Sequence, residues 1–153
     1  MTVDRANAEI VPRGDYGAIL QAILDEGICP FCPKNLFKHH TKPIIFEGPH
    51  WIVTTNFKPY EGTIHHFVLI SKRHVERVED LNQNEWLEVH THYQALVAKF
   101  GLSGATILWR SGDTKLTGAS VVHLHLQIIV GAPREEGSAP IRGVVGFKKE
   151  GGA

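Results

Sequence analysis

Ser120–Val121–Val122–His123–Leu124–His125–Leu126–Gln127–Ile128–Ile129–Val130 is the stretch on which the reading of the chain turns. Its β-branched and aliphatic residues predict a strand over Ser120–Val130. Side chains alternate along a strand, so His123, His125 and Gln127 share one face. Leu124, Leu126 and Ile128 take the other, the natural core face. Two imidazoles and an amide then stand in a row on a rigid element, directly after Gly118–Ala119–Ser120. Such a row suits work on an anion, for example a phosphoryl group. A half-buried edge strand whose exposed face happens to carry His and Gln accounts for the same pattern.

The rest of the composition narrows the classes. A chain of 153 residues with 42% apolar content fits one globular domain with a sizeable core. Lys+Arg and Asp+Glu both number 16, so no basic excess supports extended, sequence-independent nucleic-acid binding. Local nucleotide binding stays open. Ten histidines are the one oddity that points towards chemistry. Met1–Arg13 carries Asp4, Arg5 and Glu9 and lacks the apolar run of a signal peptide. No stretch approaches the ~18 apolar residues of a membrane span. With Cys29 and Cys32 alone, a disulfide framework is not on offer. The expectation is a soluble, cytoplasmic protein that binds neither membrane nor extended nucleic acid.

Residues 1–13 read as a flexible arm, 14–131 as the domain and 132–153 as a tail rich in Pro, Gly, Glu and Lys. Tyr16, Ile19, Leu20, Ile23 and Leu24 have helical spacing that stops at Gly27. In Cys29–Pro30–Phe31–Cys32–Pro33 both prolines oppose helix and ladder pairing. Pro43–Gly48 and His50–Asn56 read as strands joined by the Gly48–Pro49 turn, His66–Lys72 as a third and Ala105–Arg110 as a fourth. Asn82 with Glu85 resembles a capping box opening a helix. Its apolar stripe is Trp86, Val89, Tyr93, Leu96, Val97 and Phe100, and Gly101 ends it. His90 and His92 on that helix read as structural or solvent-facing. Ser111–Gly118 reads as a polar loop. The tail, with a short apolar patch around Ile141–Phe147, is expected to be flexible or to dock on a partner subunit. Strands and one long helix without β-α alternation predict an α+β fold with a mainly antiparallel sheet.

Cys29-x-x-Cys32 has the spacing of a zinc knuckle and needs two more ligands, for which His74 and His123 are the candidates. A redox pair or two inert thiols are the competing readings. With His123 on a metal, His125 is free as a nucleophile that attacks phosphorus and forms a labile nucleotidyl adduct. Ser120, the backbone N–H groups of Gly118–Ser120 and the Gln127 amide are candidate donors to the developing charge. Gln127 donates a hydrogen bond but carries no titrating proton, which tilts the chemistry from water towards a phosphorylated acceptor.

His123-x-His125-x-Gln127-Ile128-Ile129 resembles the signature of the histidine triad superfamily in its His-x-His-x-Gln form. That form is typical of the branch containing galactose-1-phosphate uridylyltransferase and the diadenosine tetraphosphate phosphorylases. Asn56–Gly62, His66–His74 and Gly118–Ser120 are similar to the family's first half and phosphate loop, so the likeness spans roughly Cys29 to Val130. It implies a five-stranded sheet with one long helix and a short N-terminal helix. It implies a nucleotidyltransferase or phosphorylase that cleaves a dinucleoside polyphosphate or nucleoside diphosphate derivative at the α-phosphate. The alternatives are a hydrolase using water and a zinc-stabilised nucleotide-binding module without catalysis. His125, Gln127, His123 and Ser120 are the implied catalytic residues, with His125 nucleotidylated. Cys29, Cys32, His74 and His123 are the implied ligands of a structural zinc. Asn56 stands where an acidic residue usually binds the ribose hydroxyls, and His66 and Gly118 fall near the substrate. Arg110 replaces the usual Asn, and an Arg there suits a second phosphate. Ser71 replaces the usual Pro in the strand before Lys72. Lys72 and Lys115 read as solvated charges within reach of phosphates. The resemblance also implies a homodimer joining two sheets into one, with the Trp86–Phe100 helix at the interface.

Overall fold

The computed structural model describes residues 15–151; the expected arm over 1–13 lies outside the described residues. Helix α1 (Asp15–Glu26) and helix α2 (Pro33–His39) precede strands β1 (Ile44–Glu47), β2 (Trp51–Thr55) and β3 (His65–Ser71). A 3-10 turn (Val78–Asp80) leads into α3 (Gln83–Phe100), followed by β4 (Thr106–Trp109), the short α4 (Thr114–Thr117) and β5 (His125–Val130). The strands form one five-stranded sheet in the order β1-β2-β3-β5-β4, every neighbouring pair antiparallel. The expected α+β architecture holds.

Helix α3 starts and stops as its sequence dictates. The Asn82 side chain accepts from the Glu85 N–H at 3.0 Å and the Glu85 carboxylate accepts from the Asn82 N–H at 2.9 Å. Gly101 closes the helix in the left-handed conformation, φ 63°. Glu85 is buried, and Arg73 donates to it twice, at 2.9 Å each. These bonds, Arg73 foremost, hold its carboxyl below the usual range. Glu85→Ala removes the ion pair and the carboxylate half of the capping box, while the Asn82 side chain keeps its bond to the backbone N–H of residue 85; the expected loss is about 1–2 kcal/mol in urea unfolding.

Both faces of the sheet are covered. One packs Trp51, Val53, Phe67, Leu69, Leu124, Leu126 and Ile128 against Leu96 of α3, with Val89, Tyr93 and Phe100 around it. The other packs Ile52, Val68 and Ile70 against Leu36 of α2, with Phe31 alongside. Each fully buried aliphatic side chain contributes roughly 1.5–3 kcal/mol, so neither face is dispensable. His92 is buried beside Glu88, 3.1 Å from its carboxylate, and His90 is exposed; neither approaches the cleft described below.

Four sequence expectations change. β5 is hydrogen-bonded on both sides, to β3 and β4, so the edge-strand reading is excluded. The strand begins at His125, not Ser120. Before it, the chain crosses the sheet end: the Leu124 N–H bonds to the Val75 carbonyl, and the Leu124 carbonyl accepts from the Ser71 N–H. Pro33, expected to oppose helix, opens α2 instead, because the first helical position needs no N–H. The polar loop also contains a helical turn, α4, capped by the Asp113 side chain on the Lys115 N–H at 2.9 Å.

Candidate active site

On β5, His125 and Gln127 face the α1–α2 side of the sheet. The antiparallel register sets His125 opposite Ile70 and Gln127 opposite Val68, with Leu108 of β4 flanking Gln127. Over them lies a cleft of about 210 Å³, lined among others by Phe31, Asn56, Arg110, Ser120, His125 and Gln127. His125 is fixed from two sides. Its Nδ1–H donates to the His123 carbonyl at 2.8 Å, and the Phe31 ring meets it edge-on, centroids 4.9 Å apart. With the proton on Nδ1, Nε2 carries the lone pair. Burial, reinforced by the charge of Arg110, lowers its pKa to about 4, so the ring is neutral at pH 7.

Gln127 is oriented from behind. His66 is fully buried; its Nδ1 accepts the Tyr60 N–H at 3.1 Å, so Nε2 holds the proton and donates to Gln127 Oε1 at 2.7 Å. The Gln127 amide nitrogen keeps both donors for another acceptor. Burial lowers the pKa of His66 against the opposing Gln127 bond, which favours the neutral ring. His66 does not line the cleft; the expected substrate contact is replaced by positioning of Gln127.

His123 turns away from the cleft. Its Nε2–H donates to the Ser71 carbonyl at 2.5 Å, leaving Nδ1 unprotonated. That nitrogen lies 3.1 Å from His74 Nδ1, 3.3 Å from Cys29 Sγ and 3.7 Å from Cys32 Sγ, and Cys32 Sγ lies 3.4 Å from His74 Nδ1. All four ligand atoms fall within 4.8 Å of one another. Around a tetrahedral ion with ordinary bond lengths, S···N separations are about 3.6 Å and N···N about 3.3 Å, so the residues fit such a centre. Glu76 stands 3.3 Å from His74 Nε2, the outer partner a ligating imidazole needs. Burial and the neighbouring Cys29 sulfur push the Cys32 thiol up to about 11, and burial lowers His123 to about 4. Two imidazole lone pairs and two sulfurs thus converge on one point, the donor set of a tetrahedral cation. His123, expected among the catalytic residues, is fully buried and stands in the cluster, outside the lining of the cleft.

His66, His123 and His125 are all neutral in the fold and free to take protons once unfolded. The native state therefore binds fewer protons below pH 6.5, and stability falls with falling pH. Urea midpoints are expected to be flat above about pH 6.5 and to decline steadily towards pH 4.

Scans of family models and of curated proteins match nothing. Solved structures do match. A HIT family hydrolase from Clostridium thermocellum superposes with a TM-score of 0.55 at 21% identity over 74% of this chain and 96% of that one. A HIT family hydrolase from Legionella pneumophila gives 0.55 at 21%, covering 72% and 98%. A Zn-bound histidine triad family protein from Mycobacterium smegmatis gives 0.52 at 18%, covering 81% and 84%. The chain has the histidine triad fold.

Within that fold the expected site residues separate into groups. His125, Gln127, Ser120, Asn56, Gly118 and Arg110 line the cleft. Cys29, Cys32, His74 and His123 form the cluster beside it. The Gly118 N–H is taken by the Thr114 carbonyl and the Ala119 N–H by Thr117 Oγ1, so these two donors serve the turn itself. The Asn56 side-chain Oδ1 accepts the Lys58 N–H at 2.8 Å. Lys72 pairs with Glu47 at 2.7 Å. Arg110 is committed to the tail, bonding the Val144 carbonyl and the Tyr60 hydroxyl. Phe31 and Val144 were not read from sequence. Phe31 was accessible to it, since it lies between two clustered cysteines beside His123; Val144 lies in the apolar patch around Ile141–Phe147, which the sequence marked without showing what it packs on.

Proposed function

We propose that this chain is a histidine triad enzyme of the His-x-His-x-Gln branch. It cleaves a dinucleoside polyphosphate or nucleoside diphosphate derivative at the α-phosphate through a nucleotidyl adduct on His125. The tautomer of His125 carries the reading: Nδ1 is held by a backbone carbonyl and a neutral Nε2 is available in the cleft. That nitrogen forms a bond to the α-phosphorus as the bridging P–O bond breaks. The leaving group departs with that electron pair and takes a proton from solvent. An acceptor oxygen then attacks phosphorus, and the N–P pair returns to the imidazole. Gln127 and Ser120 donate to the phosphoryl oxygens, Asn56 takes the ribose hydroxyls, and the apolar wall of Ile23, Leu36, Phe57 and Ile70 takes the base.

Gln127, fixed by His66, has donors but no proton to exchange, so an acceptor that is already anionic is favoured over water. Hydrolysis is the second reading, because two of the solved structures of this fold are HIT family hydrolases. The cluster holds a structural zinc: two thiolates and two imidazoles close its shell and tie the α1–α2 connection to the start of β5. A compartment that keeps thiols reduced, the cytoplasm, suits this site. No helix among the described residues is long and apolar enough to cross a membrane. β4 lies at the sheet edge with Ile107 exposed, close in the fold to exposed Trp86, whose ring meets Trp109. The Trp109 Nε1–H is buried without a partner. A second copy pairing along β4 covers Ile107 and Trp86 and makes the homodimer.

Diadenosine tetraphosphate incubated with and without inorganic phosphate tests the acceptor. Transfer is expected to give ADP and ATP in phosphate and little product without it. AMP and ATP at the same rate in both would establish the hydrolase.

A further inference from the structure

The tail runs back over the cleft. Ile141–Phe147 has no helix or strand, yet its seat is closely fitted. Arg110 donates from Nε to the Val144 carbonyl at 3.1 Å, from Nη2 to the same oxygen, and from Nη2 to the Tyr60 hydroxyl at 3.0 Å. A Cβ on Gly118 would stand 2.4 Å from Val144 Cγ1, and one on Gly143 would stand 2.8 Å from the Tyr60 ring. One on Gly146, at φ 141°, would stand 2.9 Å from the Leu116 carbonyl. Glycine at each contact permits the close approach. Gly143 and Val144 wall the same cleft as His125, Ser120 and Gln127. Arg110 lies two residues beyond Leu108, whose neighbour on β5 is Gln127. The fork of a guanidinium beside a candidate phosphate site is thus occupied by a neutral carbonyl of the chain's own tail.

A guanidinium prefers a phosphate to a carbonyl, because both partners are then charged and the fork binds two oxygens at once. We infer that Arg110 is a second anion site beside His125, taking the phosphate next to the one attacked, and that Ile141–Phe147 is a strap such a phosphate displaces. The inference rests on the nucleotide reading above and adds to it a selection by phosphate number. A nucleoside monophosphate leaves the strap seated; a ligand with two or more phosphates exchanges the Val144 carbonyl for its own oxygens and lifts it. Tyr60, which touches both Arg110 and Gly143, is the hinge of the exchange.

The test is calorimetric binding of AMP and ADP to the full chain carrying His125→Ala, so that no nucleotide is consumed. Gly146→Val cannot clear the Leu116 carbonyl and unseats the strap. ADP is expected to bind about tenfold more tightly to it, with AMP changed less than about twofold. Arg110→Ala is expected to bring ADP to the affinity of AMP, and Arg110→Lys, which keeps the charge and loses the fork, to retain part of the preference. That gradation separates lost recognition from lost folding. An unchanged ADP-to-AMP ratio in Gly146→Val or Arg110→Ala overturns the inference, as does weakening of both nucleotides by Gly146→Val, the behaviour of a fixed wall. In those cases AMP binding to the parent leaves the nucleotide reading standing. If the parent binds neither nucleotide, that reading falls first.

Discussion

His125→Ala is expected to lower turnover of diadenosine tetraphosphate by ~10³ or more while leaving nucleotide affinity within a few-fold. The asymmetry follows from what the ring does in the cleft. Its Nδ1–H is committed to the His123 carbonyl, so Nε2 is its reactive atom, and removing it takes away the covalent step outright. Affinity is carried elsewhere, by the apolar wall, by Asn56 and by the Gln127 amide aimed by His66. Steady-state kinetics and calorimetry on one preparation check both halves. Residual turnover above about a tenth of wild type would mean that water attacks directly and that no adduct is needed. His66→Ala is the companion case: it frees the Gln127 amide to rotate without touching the nucleophile, so the expected loss is smaller, about tenfold in rate with the adduct still formed.

The second large effect lies in the cluster. Cys32→Ala, or removal of metal from the wild type by a chelator, is expected to lower the thermal midpoint by about 10 °C or more. Binding energy at a structural tetrahedral centre is folding energy, and here it ties the α1–α2 connection to the start of β5. Once the metal is removed, the sulfurs and imidazole nitrogens are left facing one another at 3.1 to 3.7 Å. Phe31, between the two cysteines, loses its place against His125, so activity falls with stability. Metal content by mass spectrometry of the native protein is expected to give one zinc per chain. A midpoint indifferent to chelation and to Cys32→Ala would leave two thiols with no structural role.

The sheet, the long helix and the four cluster residues were legible because each rests on local rules. Alternation shows which side of a strand a residue takes, Asn82, Glu85 and Gly101 bracket α3, and Cys-x-x-Cys is a spacing with few uses. Strand starts were less legible. Val121 and Val122 read as strand by propensity, but His123 is drawn to the cluster and to the Ser71 carbonyl, and the chain leaves the ladder there. Pro33 reads as a breaker, although its position in α2 is decided by where the helix begins. His66 was recognised as important with its role misplaced, because only the diagonal pairing of β3 with β5 shows it behind Gln127 and out of the cleft. The tail was illegible. Its contacts are with Arg110, Tyr60, Gly118 and Leu116, between about 30 and 80 residues upstream, and no periodicity announces a segment that seats by close glycine contacts and bonds to its backbone carbonyl.

Intact mass at short times after mixing with diadenosine tetraphosphate, followed by peptide mapping, asks whether a nucleotidyl adduct forms on His125. A population heavier by one adenylyl group is expected, mapped to His125 and absent from His125→Ala, that phosphate discharges faster than water does. Product formation with no adduct at any time, or an adduct on another residue, would contradict it.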